Sequence, residues 1–479
     1  MLLNGEWIGD SESEWLAVYN PSNGEKLTEI VNATKKQIDA AVAAAQVAFE
    51  SKEWKAFKPY ERGQLLMELA IHIRKNAEEL AELECLDVGK PITQARKDIE
   101  AAARYFEFYA GAADKLMGDS IPIEDGLLDV TVFEPMGVTA HIVPWNYPIQ
   151  ITSRSVAAAI ATGNAVIVKS AEDTPLTTNF LAKWFAESEL PRGIFQHVTG
   201  LGANAGSYLV SHRDVDQITF TGSVQTGITV MQAAAKNVTP VTLELGGKSP
   251  NIVFQDADLE MAASSIVNAI IQNAGQTCSA GSRLLVHDQI KEEFVSKLVE
   301  KFANLTIGQG MLDPDIGPIL NKRQYEKILD YLEIGKKEGK VLFGGTAATV
   351  DGASGGNYVI PTIIDELGPD SKLAQEEIFG PVLSIFTFQN VEEAIKLANN
   401  TDYGLVAGVW SQNIDTAHYT ASRVKAGQVF VNNYGAAGGI QMPFGGYKKS
   451  GIGREKGFEA LRNYVQIKNL AVKFNGGGL

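Results

Sequence analysis

The sequence predicts an α/β protein with a doubly wound parallel sheet, a second α/β domain and a small β arm. From residue 138 onward, short apolar runs alternate with helical patterns about every 20–30 residues. A second α/β series starts near residue 251 and extends to about 445. Two extended segments, 127–134 and 463–474, lie outside both series. The 479 residues exceed what one ordinary core holds, which also favours several domains.

The first hundred residues have the pattern of amphipathic helices that cover a sheet. Ala-rich periodic runs occupy 34–50, 60–86 and 91–117, and Pro59 and Pro91 stand where helices begin. The strands of the first series are then predicted at 166–168, 194–198, 217–220 and 241–245. Thr174 is the expected N-cap of the first crossover helix, with Pro175 at its first position. Such a sheet binds ligands beyond the carboxyl ends of its strands.

The domain organisation follows from these patterns. Residues 1–117 and 136–246 form the first predicted domain, and 247–445 form the second. Residues 118–135 and 446–479 form the arm. Because its two extended segments are too isolated to make a sheet alone, we expect them to pair with another subunit.

Composition excludes several classes of function. The net charge of −15 argues against nucleic acid, which requires clustered Lys and Arg. The longest apolar candidate, 156–168, is too short to span a membrane, and the first residues do not resemble a signal peptide. Two cysteines make no disulfide framework, so we expect the cytoplasm. The six histidines show no metal-ligand spacing, and no metal is expected.

Cys278 is a candidate nucleophile. A lone cysteine is more often a small buried hydrophobic residue, but here Gly, Gln, Thr and Ser surround it. Polar neighbours keep a sulfur accessible, and a polar or positive site would lower its pKa. Glu244 precedes two glycines in an apolar strand. It is either an outward-facing strand residue or a buried carboxylate suited to general-base work.

Two turns could bind charged groups. Asn146 lies between prolines and aromatics, in a rigid turn that could equally hold an amide as an oxyanion donor. Gly222 and Ser223 lead into a helix, whose N-terminus favours phosphate. The chain has no clear Gly-x-Gly-x-x-Gly, so the usual dinucleotide fingerprint is absent.

Six segments together resemble the aldehyde dehydrogenase superfamily over nearly the whole chain. They are PWNYP at 144–148, FTGS at 220–223, LELGGKSP at 243–250, GQTC at 275–278, EIFGP at 377–381 and PFGGYKKSG at 443–451. The resemblance implies a Rossmann-like cofactor domain, a catalytic domain and an oligomerisation arm, in a homodimer or homotetramer. It also implies oxidation of an aldehyde to an acid: Cys278 adds to the aldehyde, and Asn146 with the Cys278 N–H holds the oxyanion. Hydride leaves to nicotinamide, and Glu244 activates water against the thioester.

The resemblance also implies a cofactor site. Lys169 and Glu172 would hold the adenosine ribose, Ser223 the pyrophosphate, and Glu377 the nicotinamide ribose beside Phe379. The remaining expected contacts are Val143, Trp145, Gly202, Gly222 and Leu245. Glu172 favours NAD because a carboxylate repels a 2′-phosphate, although Lys169 could attract one, so NADP stays possible.

Two departures from the family pattern stand out. Many relatives carry Trp-Lys where this chain has Arg154 and Ser155, so the lysine's relay role is not transferred. Small residues follow Tyr434, at 435–439, where relatives often place bulky aromatics, and this suggests an entrance open to bulky or varied aldehydes.

Three rival interpretations remain at this stage. A CoA-acylating enzyme would pass the acyl group to CoA, but retention of Glu244 favours water. A catalytically retired structural or binding protein would have lost Cys278, Glu244 or Asn146. A cofactor-free thiol esterase would have no use for the cofactor residues.

Overall fold

The computed structural model describes residues 1–9, 13–435 and 439–474. Its strands are β1 (Leu2–Leu3), β2 (Glu6–Trp7), β3 (Trp15–Tyr19), β4 (Lys26–Val31), β5 (Ser120–Ile121), β6 (Leu127–Pro135), β7 (Val138–Ile142), β8 (Ala165–Lys169), β9 (Phe195–Val198), β10 (Gln217–Thr221), β11 (Val241–Glu244), β12 (Pro250–Val253), β13 (Arg283–His287), β14 (Lys340–Phe343), β15 (Ala347–Ala348), β16 (Tyr358–Val359), β17 (Thr362–Asp365), β18 (Val382–Phe388), β19 (Val406–Trp410), β20 (Gln428–Val431), β21 (Gly451–Ile452) and β22 (Val465–Lys473).

The α-helices separate these strands. They are α1 (Lys35–Glu50), α2 (Lys52–Ala56), α3 (Pro59–Lys75), α4 (Ala77–Val88), α5 (Ile92–Ala112), α6 (Pro148–Ala161), α7 (Leu176–Glu187), α8 (Ser207–Val210), α9 (Val224–Ala235), α10 (Leu259–Ile271), α11 (Lys291–Ala303), α12 (Lys322–Glu338), α13 (Lys372–Gln375), α14 (Val391–Asn399) and α15 (Ile414–Ala421).

Two mixed sheets, each parallel in its centre, form the framework, as the predicted α/β class requires. The first has the order β2-β1-β9-β8-β7-β10-β11-β21, with a parallel centre from β9 to β11. The second has the order β14-β17-β18-β13-β12-β19-β20 and is parallel except for β14. In the first sheet the chain moves outward from β7 to β9 and then returns to place β10 on the other side of β7. That reversal creates a crevice at the carboxyl ends of β7 and β10.

Each sheet has its own hydrophobic core. Helices α1 and α3 to α7 cover the first sheet, and their buried faces pack against apolar strand residues such as Val166, Ile167 and Val168. A second cluster surrounds β12, β13 and β18. A small third cluster of Leu405, Val406, Phe430 and Phe444 contacts Cys278. The candidate nucleophile thus packs against a small apolar cluster that is separate from both cores.

Three expectations about elements were wrong. The run 60–86 is two helices, because Asn76 leaves helical geometry and its side-chain amide donates to the His72 carbonyl oxygen at 2.8 Å. Thr174 does not cap α7. Pro175 takes the N-cap position, and the Asp87 carboxylate accepts from the Leu176 N–H at 2.7 Å instead.

The arm is the third correction. Its two strands, β6 and β22, pair with each other inside one chain over nine antiparallel residue pairs, and β5 adds a third strand. The sequence could not show this because the two strands are far apart in the chain. Residues 451–452, beyond the second α/β series, also add strand β21 to the edge of the first sheet.

Candidate functional site

The turn after β7 is anchored to the loop that carries Cys278. Asn146 is buried, and its Nδ2 donates to the Gln276 carbonyl oxygen at 3.0 Å. In return, Asn273 Nδ2 donates to the Asn146 carbonyl oxygen at 3.0 Å. The sequence-predicted oxyanion donor and nucleophile are thus brought together by reciprocal hydrogen bonds, and one N–H of the Asn146 amide remains available.

The loop before Cys278 has an unusual backbone. Asn273, Ala274 and Gly275 have φ values of 48°, 54° and 74°, in the left-handed region. A Cβ at Gly275 would approach the Gly380 carbonyl carbon to 2.2 Å, so only glycine fits. Gln276 is fully buried and accepts from the Leu320 N–H at 2.9 Å. Such strained geometry persists only where the surroundings enforce it, and it is typical of functional sites.

Cys278 is half-buried and packs against the third apolar cluster. Burial, and then the negative charge of Glu244, raise the pKa of its thiol to about 12, while Arg154 acts in the opposite direction. Apolar side chains and a carboxylate thus outweigh the guanidinium in their effect on the pKa of this thiol. The sulfur therefore needs a proton acceptor to become a thiolate near neutral pH.

Glu244 is the nearby base. It lies at the end of β11 and is 1% exposed, and neither carboxylate oxygen has a hydrogen-bond partner among the described residues. Burial, and then Glu455, raise its pKa well above the usual range. Gly445 leaves room for it, since a Cβ there would lie 2.8 Å from Glu244 Oε1. A carboxyl group with these properties can take up a proton near neutral pH.

Sequence reasoning missed a buried ion pair beside this base. Arg154 and Glu455 form a salt bridge, with side chains 7% and 2% exposed. Arg154 also donates to Thr221 at 3.3 Å and lies 5.5 Å from the centre of the Phe444 ring. The only signal in the sequence was that Arg154 stands where many relatives carry Trp. Ser155 donates to the Ile151 carbonyl oxygen at 3.1 Å, within its own helix.

The expected cofactor residues lie along the carboxyl edge of the first sheet. The Val143 N–H donates to the Lys169 carbonyl oxygen at 3.0 Å, which joins the ends of β7 and β8. Lys169 Nζ lies 2.7 Å from Glu172, and the Gly202 N–H donates weakly to the same carboxylate at 3.4 Å. Burial opposes ionisation of Glu172, but Lys169 outweighs it and lowers the pKa of the carboxyl group.

The other half of this edge follows β10 and β11. The Gly222 N–H donates to the Glu244 carbonyl oxygen at 3.0 Å, and Ser223 caps α9 by accepting from the Thr226 N–H at 3.2 Å. Leu245 packs over α9, where a Cβ on Gly227 would meet it at 2.6 Å. The N-terminus of this helix thus faces the crevice.

Glu377 and Phe379, in the segment between α13 and β18, complete the edge opposite Trp145. Glu377 Oε1 accepts from the Gly247 N–H at 2.9 Å, and burial raises its pKa to about 7. The rings of Trp145 and Phe379 meet edge to face with centroids 5.2 Å apart. All ten expected cofactor residues therefore lie at the carboxyl edge of the first sheet or in segments that contact this edge.

Within residues 1–9, 13–435 and 439–474, no three His, Cys, Asp or Glu side chains are grouped as metal ligands. In the same part of the chain, no helix is both long and apolar enough to cross a membrane. His141 and His197 lie in strands of the first sheet, and burial lowers the pKa of each to about 3.

A cavity of about 110 Å³ opens beside Cys278. It is lined by Ser279, Val406, Gln428, Phe430, Tyr434, Gly435, Gly439, Met442, Phe444 and Lys456. Tyr434 donates its hydroxyl to the Ser279 carbonyl oxygen at 2.6 Å. Of the small residues expected at the entrance, 436–438 lie outside the described residues, so entrance width stays a prediction.

The chain is similar to known proteins over nearly its whole length. The model of the aldehyde dehydrogenase family matches residues 7–470. The chain is 41% identical to a betaine aldehyde dehydrogenase of Bacillus subtilis, over 98% of this chain and 96% of that one. An NAD+ complex of an aldehyde dehydrogenase from Bacillus cereus is 44% identical, with a TM-score of 0.96 over 99% of this chain and 96% of that one. A betaine aldehyde dehydrogenase from Staphylococcus aureus with NAD+ is 37% identical, with a TM-score of 0.97 over 99% and 94%.

Proposed function

Because the chain belongs to the aldehyde dehydrogenase family, we propose that Cys278 carries its reaction: oxidation of an aldehyde to a carboxylic acid with reduction of NAD. The observation that carries the assignment is the meeting of three side chains. Asn146 is bonded to the Cys278 loop, and Glu244 interacts with the Cys278 thiol. We assign cofactor binding to 1–117 and 136–246, and the nucleophile to 247–445.

The residues at the crevice fit NAD. Lys169 and Glu172 offer an ammonium and a carboxylate, which suit the two hydroxyls of a ribose. Gly202 and Gly206 face open space, and the α9 N-terminus at Ser223 suits a pyrophosphate. Lys169 is already paired with Glu172, so its ammonium group is not free to attract a 2′-phosphate. The Glu172 carboxylate repels such a phosphate, and NAD is therefore favoured over NADP.

The first chemical step is addition of sulfur to the aldehyde. The Cys278 thiol gives its proton to Glu244, whose raised pKa makes it a competent acceptor. The sulfur then bonds to the carbonyl carbon. The second N–H of the Asn146 amide and the Cys278 N–H stabilise the oxyanion. When bound, NAD supplies the acceptor for the hydride of this adduct.

The second half of the reaction releases the acid. Loss of hydride leaves a thioester on Cys278. Glu244 releases the proton of the thiol to solvent and then takes a proton from water. The hydroxide oxygen bonds to the acyl carbon, the C–S bond breaks, and Glu244 returns the proton to the Cys278 sulfur. Aldehyde, NAD+ and water thus give acid, NADH and a proton. This path differs from that of a CoA-acylating relative because water takes the acyl group. It differs from a retired protein and from a cofactor-free esterase because it uses Cys278, Glu244 and Asn146 together with NAD.

The test is an aldehyde panel with NAD and NADP, followed through the absorbance of reduced nicotinamide. Wild type should reduce NAD. Cys278→Ala should form no reduced cofactor while retaining NAD binding, and the matched Cys85→Ala change should retain activity because Cys85 lies in the first core. Turnover by Cys278→Ala would refute the assignment, and dependence on added CoA would favour the acylating alternative.

We further propose a cytoplasmic homodimer or homotetramer. Both cysteines are unpaired, as in a reducing compartment. The arm exposes Leu128, Leu470 and Val472 on one face and Ile467 on the other, apolar side chains that association would cover. Sedimentation velocity tests this: a monomer at micromolar concentration would refute it, and Ile467→Lys should weaken the association.

A further inference from the structure

Lys456 is a cation at the entrance cavity that the proposed reaction does not use. It lines the cavity together with Phe430, Tyr434 and Phe444. Its side chain is half-buried, yet its ammonium group forms no hydrogen bond and no salt bridge within the described part of the chain. Its φ of 59° is left-handed, a conformation rarely adopted by lysine. A half-buried cation on strained backbone requires a reason.

The surroundings of Lys456 are rich in unused hydrogen-bond donors. Its Nζ lies 4.9 Å from the centre of the Phe444 ring and 6.0 Å from that of Tyr105. Arg154 also faces Phe444, at 5.5 Å. The Tyr105 hydroxyl and Arg154 Nε are both buried and have no hydrogen-bond partner in the residues that the structure describes. Two cations thus face one apolar ring.

Two carboxyl groups lie near this cluster. Glu455 pairs with Arg154. Glu244 is buried with a raised pKa. Burial raises the pKa of both carboxyl groups and the charge of Lys456 acts to lower it, but Lys456 forms no salt bridge with either of them. The cavity is therefore positive at one end and apolar along its wall, and it lies next to the nucleophile.

We propose that Lys456 makes this cavity an anion-binding subsite that selects aldehydes carrying a carboxylate over neutral or cationic aldehydes of similar length. The inference rests on the proposed function, since it concerns the far end of the same substrate. The ammonium group of Lys456 binds the carboxylate, the apolar wall contacts the chain of the substrate, and its aldehyde end reaches Cys278. Betaine aldehyde carries a quaternary ammonium group, so Lys456 repels it.

The experiment compares kcat/KM for succinic semialdehyde, pentanal and betaine aldehyde with NAD. These substrates are anionic, neutral and cationic and have similar chain lengths. An aromatic pair, 4-carboxybenzaldehyde and 4-methylbenzaldehyde, repeats the contrast on a larger frame. Wild type should favour each anionic member over its neutral partner by about tenfold, since a hydrogen-bonded charge contributes roughly that much. Betaine aldehyde should be the poorest substrate.

Variants test whether the Lys456 side chain causes the preference for anionic aldehydes. Lys456→Met should reduce the anionic-to-neutral ratio about tenfold, mainly through KM, and Lys456→Arg should keep it. Lys456→Glu should reverse the order and favour betaine aldehyde. The matched control Lys340→Met changes a 63% exposed lysine on an edge strand of the second sheet, and its ratio should equal that of wild type.

The outcomes separate this inference from the proposed function. Equal kcat/KM across the charge series in wild type overturns the inference while leaving aldehyde oxidation standing. An unchanged ratio in Lys456→Met does the same. Failure to oxidise any aldehyde overturns both. Because the wild-type series alone can refute the proposal, it does not depend on every variant folding.

Discussion

Replacing Arg154 with methionine should lower the free energy of unfolding by about 3–5 kcal/mol. Arg154 and Glu455 are 7% and 2% exposed, so solvent screens their attraction little. Removing the guanidinium leaves the Glu455 carboxylate buried without its partner, and Glu244 loses a stabilising cation. The loss is much larger than for a surface pair because the carboxylate cannot regain water.

A double variant separates this cause from loss of packing. Arg154→Met with Glu455→Gln removes both charges, so it should be less destabilised than the sum of the two single variants. The control is Lys468→Met, which breaks the exposed pair with Glu134 on the arm and should cost less than about 1 kcal/mol. Urea unfolding followed by circular dichroism gives the free energy of unfolding of the wild type, the two single variants, the double variant and the control.

The pH dependence gives a second check. Burial raises the pKa of Glu455 and Arg154 counteracts this, so the Arg154→Met change raises that pKa further. An acid with a raised folded-state pKa destabilises the protein above its unfolded pKa and has no effect below it. The Arg154→Met penalty should therefore shrink as the pH falls from 8 toward 5. A penalty below about 1 kcal/mol at pH 8, or one that grows on acidification, would refute the reasoning.

Three further predictions follow from the same site. Because burial and Glu244 raise the pKa of Cys278 to about 12, iodoacetamide should label the cofactor-free enzyme about tenfold faster per pH unit between pH 7 and 9; a plateau near pH 8 would contradict this. Burial lowers the pKa of Lys248 to about 7, and its Nζ has no partner among the described residues, so stability from this group rises as pH goes from 7 to 10. Lys248→Met should then stabilise by about 2–4 kcal/mol at pH 7 and by almost nothing at pH 10 in urea unfolding; a loss at pH 7 would contradict it. Glu172→Ser should raise the NADP-to-NAD ratio of kcat/KM at least about tenfold, and an unchanged ratio would show that this carboxylate does not face the ribose.

Local patterns were sufficient to predict the parallel strands of the first sheet and the edge on which the expected site residues lie. Apolar runs such as 166–168 are buried on both faces, and parallel strands end at a common edge, so the positions of Lys169 and Glu244 followed from strand ends. Asn146 and Cys278 came from motifs, which the family resemblance ordered.

The features that sequence reasoning missed depend on contacts between distant parts of the chain. The Asp87 carboxylate that caps α7 comes from α4, and β22 pairs with β6 from the other end of the chain. The Arg154–Glu455 pair likewise joins α6 to a segment near the C-terminus. Propensity and spacing describe neighbours in sequence, so they could not show which remote charge would neutralise a buried one.

Glu244→Gln tests the central claim most directly, because it keeps the shape of the base and removes its ability to accept a proton. Because Glu244 accepts the proton of the Cys278 thiol as well as that of water, rapid mixing of this variant with aldehyde and NAD should give no burst of reduced cofactor. Turnover should be at least about a hundredfold slower than in wild type. The exposed Glu459→Gln should behave as wild type. A full burst, or steady turnover by Glu244→Gln at the wild-type rate, would contradict the account.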